Sequence, residues 1–219
     1  CFTEEELQII GDMANKYDVF VFEDLAYFGM DFRQNISAPG IPPYQPSVGK
    51  YTDNYALLIS GSKAFSYAGE RIALMVMSKK LYNREFDDLE PYFKMKKLGR
   101  AIIYGTVYAI SSGVAHSAQY AMAAILKGCN DGTYNYIEDV KEYGEKAAIM
   151  KKLFTDNGFE IVYDKDGDKP LADGFYFTVA YPGMSSEELL HEFLYYGISA
   201  ISLTTCGSER GEGLRACVS

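Results

Sequence analysis

The feature that most constrains this chain is an apolar run, residues 55–59, followed by residues 60–71, which we name the lysine turn. A near-continuous apolar run of this length predicts a strand that is buried on both faces. The turn carries Lys63 and, eight residues later, Arg71, with three serines and two glycines. Hydroxyls and an arginine fork suit a phosphate dianion, and an amine at the edge of a core can serve as a nucleophile. A solvated turn with an ordinary lysine and arginine also fits this segment when it is taken alone.

A second predicted strand brings further polar groups to the same edge. Residues 19–27 are apolar at their start and carry Asp24 and Tyr27 near their carboxyl end. Ligands of open α/β sheets bind beyond the carboxyl ends of the strands, so we expect Asp24, Tyr27 and Lys63 to lie close together. An acid, a phenol, an amine and an anion site are the groups that pyridoxal 5'-phosphate requires for its ring nitrogen, ring oxygen, aldehyde and phosphate.

Three motifs, in this order along the chain, resemble those of the fold type I aminotransferases, the pyridoxal-phosphate family that includes aspartate and aromatic aminotransferases. Residues 24–27 resemble the Asp-x-Ala-Tyr segment of that family. Residues 60–63 and Arg71 resemble its Ser-x-x-Lys loop and the phosphate-binding arginine that follows. Residues 213–217, around Arg215, resemble the late strand whose arginine binds the substrate carboxylate.

The resemblance implies a role for each of these residues. Lys63 would be catalytic: it would link covalently to the cofactor, and its freed amine would move the α-proton of the amino acid. Arg215 would bind the α-carboxylate of the amino acid or 2-oxo acid substrate. The residues implied to bind the cofactor are Asp24, Tyr27, Ser60, Ser62, Lys63 and Arg71. A homodimer with its active sites at the subunit boundary is implied as well.

Two alternatives to transamination stay open at this point. Pyridoxal-phosphate-dependent lyases and decarboxylases of the same fold share the same lysine, acid, tyrosine and arginine. Transcription regulators that sense the cofactor contain a similar lobe, preceded by a DNA-binding domain.

The order of predicted elements indicates an α/β fold: part of the mixed, mostly parallel large-domain sheet of a fold type I enzyme, with a small α/β lobe after it. A third strand is predicted at residues 72–77. Too few residues separate it from the strand at residues 55–59 for a parallel crossover, which needs about a dozen or more, so we expect it to run antiparallel to that strand. The resemblance assigns residues 1–135 to the large domain and residues 136–219, beginning with a linking helix at about 136–157, to the small domain.

Local signals predict several element boundaries. Capping boxes predict helix starts at Thr3 and Ser185. Residues 84–128 are expected to be helical, with a helix starting near Ser111. Prolines exclude regular structure from residues 35–50. Short strands are expected at residues 160–163, 175–180, 198–201 and 214–218.

Length, composition and charge predict a chain with its own core and argue against several kinds of binding partner. With 219 residues, of which 48% are hydrophobic, the chain can build a sizeable core. A net charge of -9 argues against nucleic acid or an anionic membrane surface as a partner, and no apolar run is long enough to span a bilayer. The four cysteines and two histidines have no metal-site spacing, and free thiols favour a reducing cytoplasm.

The family also has features that this sequence lacks. Its members are longer, and their first half supplies another phosphate loop, an aromatic ring that stacks on the cofactor, and an Asn-Pro-Thr-Gly turn. Residues 1–6 resemble the segment that follows that turn. We therefore expect an internal fragment. Either a further stretch of chain or a separate chain supplies the missing segments, or the fragment on its own binds cofactor weakly and transaminates negligibly.

Overall fold

A computed structural model describes residues 1–172 and 175–219 as a mixed α/β fold. The chain divides into two compact units. The first unit comprises residues 2–28 and 37–136, and the second comprises residue 1 together with residues 29–36 and 137–219. The assignment of residues 1–135 and 136–219 to a large and a small domain stays a prediction. None of the helices in the described ranges combines the length and the apolar character needed to cross a bilayer.

The first unit opens with helix α1, Glu4–Tyr17, and contains a three-stranded sheet. The predicted capping box is present, with Thr3 accepting from the Glu6 backbone and the Glu6 side chain accepting in return. The strands are β1 (Val21–Asp24), β2 (Tyr55–Ser60) and β3 (Ala73–Met77), in the order β1-β2-β3. Strands β1 and β2 are parallel, and β3 runs antiparallel to β2 as predicted.

The prediction that β1 and β2 are buried on both faces is wrong. Phe22 in β1 is 53% exposed, and Ala56 is the one fully buried residue of β2. Strand side chains point to the faces of a sheet, so they are exposed wherever no other element of the described residues covers that face. Strand β1 is also shorter than the run at residues 19–27 that predicts it.

The region at residues 84–128 is helical in part but is broken into short segments. The remaining helices of the first unit are α2 (Gly61–Ala64), α3 (Lys79–Asn83), α4 (Glu90–Phe93), α5 (Leu98–Arg100), a π-helical stretch (Ala101–Val107), α6 (Tyr108–Ser111) and α7 (His116–Asn130). Lys94 and Ser112 adopt left-handed backbone conformations, with φ of 55° at both, where α4 and α6 end. The predicted helix start near Ser111 is therefore wrong, and α7 begins at His116. The proline-rich connector ends in a short 3-10 turn, Val48–Lys50.

The second unit contains a long helix, an antiparallel sheet and a hairpin. Its elements are α8 (Tyr136–Asp156), β4 (Glu160–Ile161), β5 (Lys165–Asp166), β6 (Lys169–Pro170), β7 (Tyr176–Ala180), α9 (Ser186–Tyr195), β8 (Ile201–Ser202) and β9 (Leu214–Cys217). The sheet order is β4-β7-β9-β8, and β5 pairs with β6. Helix α8 agrees with its prediction, and α9 has the predicted capping box at Ser185. The β5–β6 hairpin is missed by the sequence pattern because its two-residue strands are too short for apolar alternation.

An ion pair ties the separate segments of the second unit together. Asp31 is 1% exposed and accepts from Arg33 at 2.7 and 2.8 Å. Burial raises the cost of ionising Asp31, but the hydrogen bonds and charge of Arg33 outweigh it and lower the pKa of that carboxyl. Arg33 also donates to the carbonyls of Cys1 and Pro170 at 3.1 Å. These contacts explain why residues 29–36 belong with a unit that lies mostly later in the chain.

Candidate active site

The carboxyl ends of β1 and β2 lie side by side in the first unit. The two strands are parallel, with Asp24 opposite Leu58. The pairing continues past β1, because the Leu25 N–H donates to the Leu58 carbonyl at 2.8 Å. Tyr27 and the lysine turn therefore both emerge at the same edge of the sheet, as the sequence predicts for ligand-binding residues of an open α/β sheet.

The lysine turn begins with the short helix α2, and its geometry is tightly set. Ser60 caps the helix, its hydroxyl accepting from the Ser62 N–H at 3.1 Å. Gly61 donates to the Ile72 carbonyl at 3.1 Å, and a Cβ at Gly61 would lie 2.6 Å from Cε of Met122 on α7. Only glycine fits this close approach without a shift of its neighbours. The backbone that leads into Lys63 is therefore hydrogen-bonded to Ile72, just before β3, and lies close to the end of the Met122 side chain on α7.

Lys63 and Tyr27 are brought together. The Lys63 Nζ lies 5.5 Å from the centre of the Tyr27 ring, within the range of a cation–π contact. The Lys63 side chain is half-buried. Among the described residues, no carboxylate or hydrogen-bond acceptor lies within bonding distance of this amine. The amine is thus held by a ring face and keeps its nitrogen available for another group.

Asp24 sits at the last position of β1 with an exposed side chain. Its Oδ1 accepts from the Ala26 N–H at 2.9 Å, an Asx-type turn that fixes the carboxylate against its own backbone. Within the ranges that the structure describes, no lysine or arginine forms an ion pair with it. The carboxylate therefore has an unused oxygen at the same edge as Tyr27.

Arg71 closes the lysine turn in a left-handed backbone conformation, with φ of 51°. Because Ser60 pairs with Ala73 in the antiparallel register, the Arg71 backbone returns beside the start of the turn. Its side chain is exposed and donates to the Ala68 carbonyl at 2.8 Å, so the guanidinium folds over its own turn. The turn thus holds three serine hydroxyls, an amine and a guanidinium within one loop.

Arg215 belongs to the second unit, on strand β9. It pairs with Thr178 of β7 on one side and Ile201 of β8 on the other. The half-buried guanidinium stacks on Tyr176, with its carbon 4.2 Å from the ring centre. No acceptor for its N–H groups is present in the described part of the chain. Stacking orients the planar group and leaves its edge able to bind a carboxylate.

Sequence reasoning misses the aromatic residues that support these positions. Tyr176 beside Arg215 is one. The others are Phe28 and Phe65, each of which packs against Tyr136. From the sequence alone, each of these residues is predicted to be an ordinary aromatic residue of the core. Their grouping depends on contacts between distant segments, which no local pattern records.

The comparison with family models decides the family. The model described as aminotransferase class I and II matches residues 1–209. The chain belongs to the class I and II aminotransferase family. No curated protein sequence matches it closely enough to count as a relative.

Solved structures of aminotransferases have the same fold. An aromatic aminotransferase from Pyrococcus horikoshii is 17% identical, with a TM-score of 0.64, and the match covers 99% of this chain and 51% of that one. YbdL of Escherichia coli, described as having a methionine aminotransferase function, is 16% identical with a TM-score of 0.69, covering 99% and 50%. An aminotransferase from Eubacterium rectale is 23% identical with a TM-score of 0.64, covering 99% and 47%. The chain therefore spans about half the length of the aminotransferases that it matches.

Proposed function

We propose that this protein uses pyridoxal 5'-phosphate to transfer an amino group between an amino acid and a 2-oxo acid. One observation carries the proposal: the half-buried Lys63 amine has no acid partner among the described residues and faces Tyr27 where β2 ends beside β1. A lysine that is positioned but not neutralised is what covalent capture of an aldehyde requires.

The residues at this edge fit the cofactor by the chemistry of their side chains. Asp24 is the partner of the pyridinium nitrogen, Tyr27 donates to the ring oxygen, and Lys63 is the point of covalent attachment. The hydroxyls of Ser60 and Ser62 and the guanidinium of Arg71 bind the phosphate. The available oxygen of Asp24 and the amine of Lys63 support these roles, as does the location of both serines in the lysine turn.

When bound, pyridoxal phosphate supplies an electron-accepting ring that stabilises negative charge at the α-carbon of an amino acid. Two residues of this chain move or hold the protons of the reaction. The Lys63 Nζ accepts the α-proton and later donates it back. Asp24 holds a proton on the ring nitrogen, because a carboxylate beside a cation favours its protonated form.

Arg215 binds the substrate α-carboxylate through two parallel N–H groups. The cation–π contact with Tyr176 supports this role, because the ring holds the guanidinium plane without using its hydrogen-bonding edge. A fixed carboxylate orients the α-carbon, and orientation decides which of its bonds is broken.

The active protein is a homodimer in which a second copy covers large exposed side chains of residues 104–120 in the first unit. These side chains are Tyr104, Tyr108, Ile110 and Tyr120, with exposed fractions of 56%, 63%, 81% and 79%. Large apolar groups so exposed are typical of protein interfaces. Light scattering on the whole protein tests this: Tyr108→Glu should shift it toward monomer, whereas Tyr92→Glu, outside this segment, should not. A wild-type protein that is monomeric at all concentrations contradicts the dimer.

The reaction is tested by incubating the whole protein with cofactor, ¹⁵N-labelled amino acids and a panel of 2-oxo acids. We expect the label to appear in a new amino acid, in amounts equal to the 2-oxo acid released. Release of ammonia with pyruvate identifies a lyase, and release of carbon dioxide identifies a decarboxylase. Cofactor binding without turnover favours a sensor domain, and each of these three results contradicts the proposed transamination.

A further inference from the structure

Two aromatic residues lie near Lys63 and Tyr27 in the sequence. Phe28 follows Tyr27 in the chain, and Phe65 lies two residues after Lys63. A third ring, Tyr136, packs between them. It stacks on Phe28 with ring centres 5.8 Å apart and an angle of 20°, and it meets Phe65 edge-on at 5.2 Å and 63°.

Tyr136 thus contacts one sequence neighbour of each of the two site residues, Phe28 beside Tyr27 and Phe65 near Lys63. Lys63 touches the Tyr27 ring, Tyr27 is bonded to Phe28, Phe28 stacks on Tyr136, and Tyr136 returns to Phe65 in the same loop as Lys63. Tyr136 therefore links the segment that follows β1 with the lysine turn, in addition to the direct contact between Lys63 and Tyr27. Removing the Tyr136 ring removes both of these aromatic contacts.

Tyr136 is suited to this task by burial rather than by its hydroxyl. It is 7% exposed, and burial, with a smaller effect of Cys129, raises the pKa of its phenol well above the usual range. The hydroxyl therefore stays neutral at physiological pH. What Tyr136 offers is a rigid ring with few rotamers, packed against two others.

We propose that Tyr136 is a positioning residue that holds the Lys63 amine over Tyr27 for reaction with the cofactor aldehyde. This inference rests on the proposed function, because it assigns Tyr136 a role in the same site. Phe28 connects Tyr136 to the segment after β1, and Phe65 connects it to the segment after β2. Since displacement of a reacting group by about 1 Å can cost on the order of 100-fold in rate, we expect loss of the Tyr136 ring to slow capture of the cofactor.

The test measures covalent capture instead of turnover. Whole protein is mixed with pyridoxal phosphate, quenched with borohydride at timed intervals, and digested, and mass spectrometry follows the fraction of Lys63 that carries the cofactor. The variants are Tyr136→Leu, which removes the ring, Tyr136→Phe, which keeps it, and Phe65→Leu. The last removes the contact with Tyr136 and alters the packing of Phe65 on the cluster of Ile72, Ala118 and Met122. The control is Phe193→Leu, a buried aromatic of the second unit that packs on Phe154 and Phe159.

We expect Tyr136→Leu to slow capture at Lys63 by about tenfold or more at a temperature where it is folded, and Phe65→Leu to slow it less. Tyr136→Phe and Phe193→Leu should react at the wild-type rate. Wild-type capture in Tyr136→Leu, or equal slowing in Phe193→Leu, overturns the positioning role.

A second measurement separates this inference from the proposed function. Crystal structures of wild type and Tyr136→Leu give the distance from Lys63 Nζ to the Tyr27 ring centre without cofactor. We expect about 5.5 Å to be kept in wild type and lost in the variant, and an unchanged distance overturns the inference. If wild-type Lys63 captures no cofactor while the variant still loses the distance, the proposed function fails and the positioning role stands.

Discussion

The guanidinium carbon of Arg215 lies 4.2 Å from the centre of the Tyr176 ring. The two residues are diagonal neighbours on β9 and β7, because Arg215 pairs with Thr178, two positions along from Tyr176. The ring covers one face of the guanidinium and leaves its edge uncovered. This geometry makes separate predictions for the arginine and for the ring beneath it.

Arg215→Lys should raise KM for the amino acid by about 10- to 100-fold, the effect of losing roughly 1.5–3 kcal/mol of charged hydrogen bonding. An ammonium group cannot reproduce the planar contact with two carboxylate oxygens. Steady-state kinetics measure the change, and borohydride trapping at Lys63 should be unaffected. Arg210→Lys is the matched control, since Arg210 lies over Tyr163 and is exposed. An unchanged KM in Arg215→Lys makes Arg215 a structural residue.

Tyr176→Leu should raise KM by a smaller factor, about two- to fivefold, because a cation–π contact contributes about 0.5–1 kcal/mol at accessible sites. Tyr176→Phe keeps the ring face and should behave like wild type. Equal effects of the Leu and Phe variants contradict a role for the ring and point instead to the hydroxyl.

Asp24 is tested by two substitutions that separate charge from backbone structure. Asp24→Asn can still accept from the Ala26 N–H but carries no charge, whereas Asp24→Ala loses both. Both should raise the barrier to α-proton removal by about 3 kcal/mol, the scale of one strong electrostatic stabiliser, while trapping at Lys63 continues. Single-turnover exchange of the α-proton with solvent measures this step. Asp12→Asn, on the exposed side of α1, controls for loss of a carboxylate, and a near-normal rate in Asp24→Asn shows that the charge is not needed.

Glu23, next to Asp24 in β1, makes a prediction about stability and pH. Its side chain is buried, which raises the pKa of the carboxyl, although the hydrogen bond from the Val48 N–H at 2.8 Å partly opposes this. Since the folded state then binds the proton more tightly than the unfolded state, the free energy of unfolding falls as pH rises from the ordinary value of 4.5 through the raised pKa. The stabilisation from the protonated Glu23 carboxyl is fully present below the ordinary pKa of 4.5.

Glu23→Gln removes this titration, so it should gain stability relative to wild type as pH rises through the same window. Urea unfolding of both proteins at several pH values measures the difference, which should level off above the raised pKa. Glu5→Gln, on the exposed surface of α1, should track wild type throughout. A difference between Glu23→Gln and wild type that does not change with pH contradicts this account.

The parts of this structure that could be predicted are those decided by nearby residues. Thr3 and Ser185 begin helices because each cap and its glutamate lie three residues apart, so the signal is complete within one turn. The antiparallel direction of β3 follows from the short lysine turn, because chain length alone excludes a parallel crossover. Asp24, Tyr27 and Lys63 fall at one edge because two parallel strands end there.

The parts that could not be predicted depend on tertiary contacts. Phe22 looks like a core residue in the sequence, yet it is 53% exposed because no other element of the described residues covers its side chain on that face of the sheet. Helix α6 ends before Ser112, which adopts a left-handed conformation. Serine rarely adopts this conformation, so the residue type does not predict the end of the helix. Tyr136 meets Phe28 and Phe65 only after three distant segments pack together.

The central claim is that Lys63 is the residue to which the cofactor becomes covalently attached. The most direct measurement is borohydride reduction of the whole protein with pyridoxal phosphate, followed by peptide mass spectrometry of wild type, Lys63→Arg and, as a control, Lys79→Arg on α3. The account predicts one modified lysine, Lys63, in wild type and in the control, and no lysine-linked cofactor in Lys63→Arg. Cofactor fixed to a different lysine in wild type, or retained in Lys63→Arg, contradicts it.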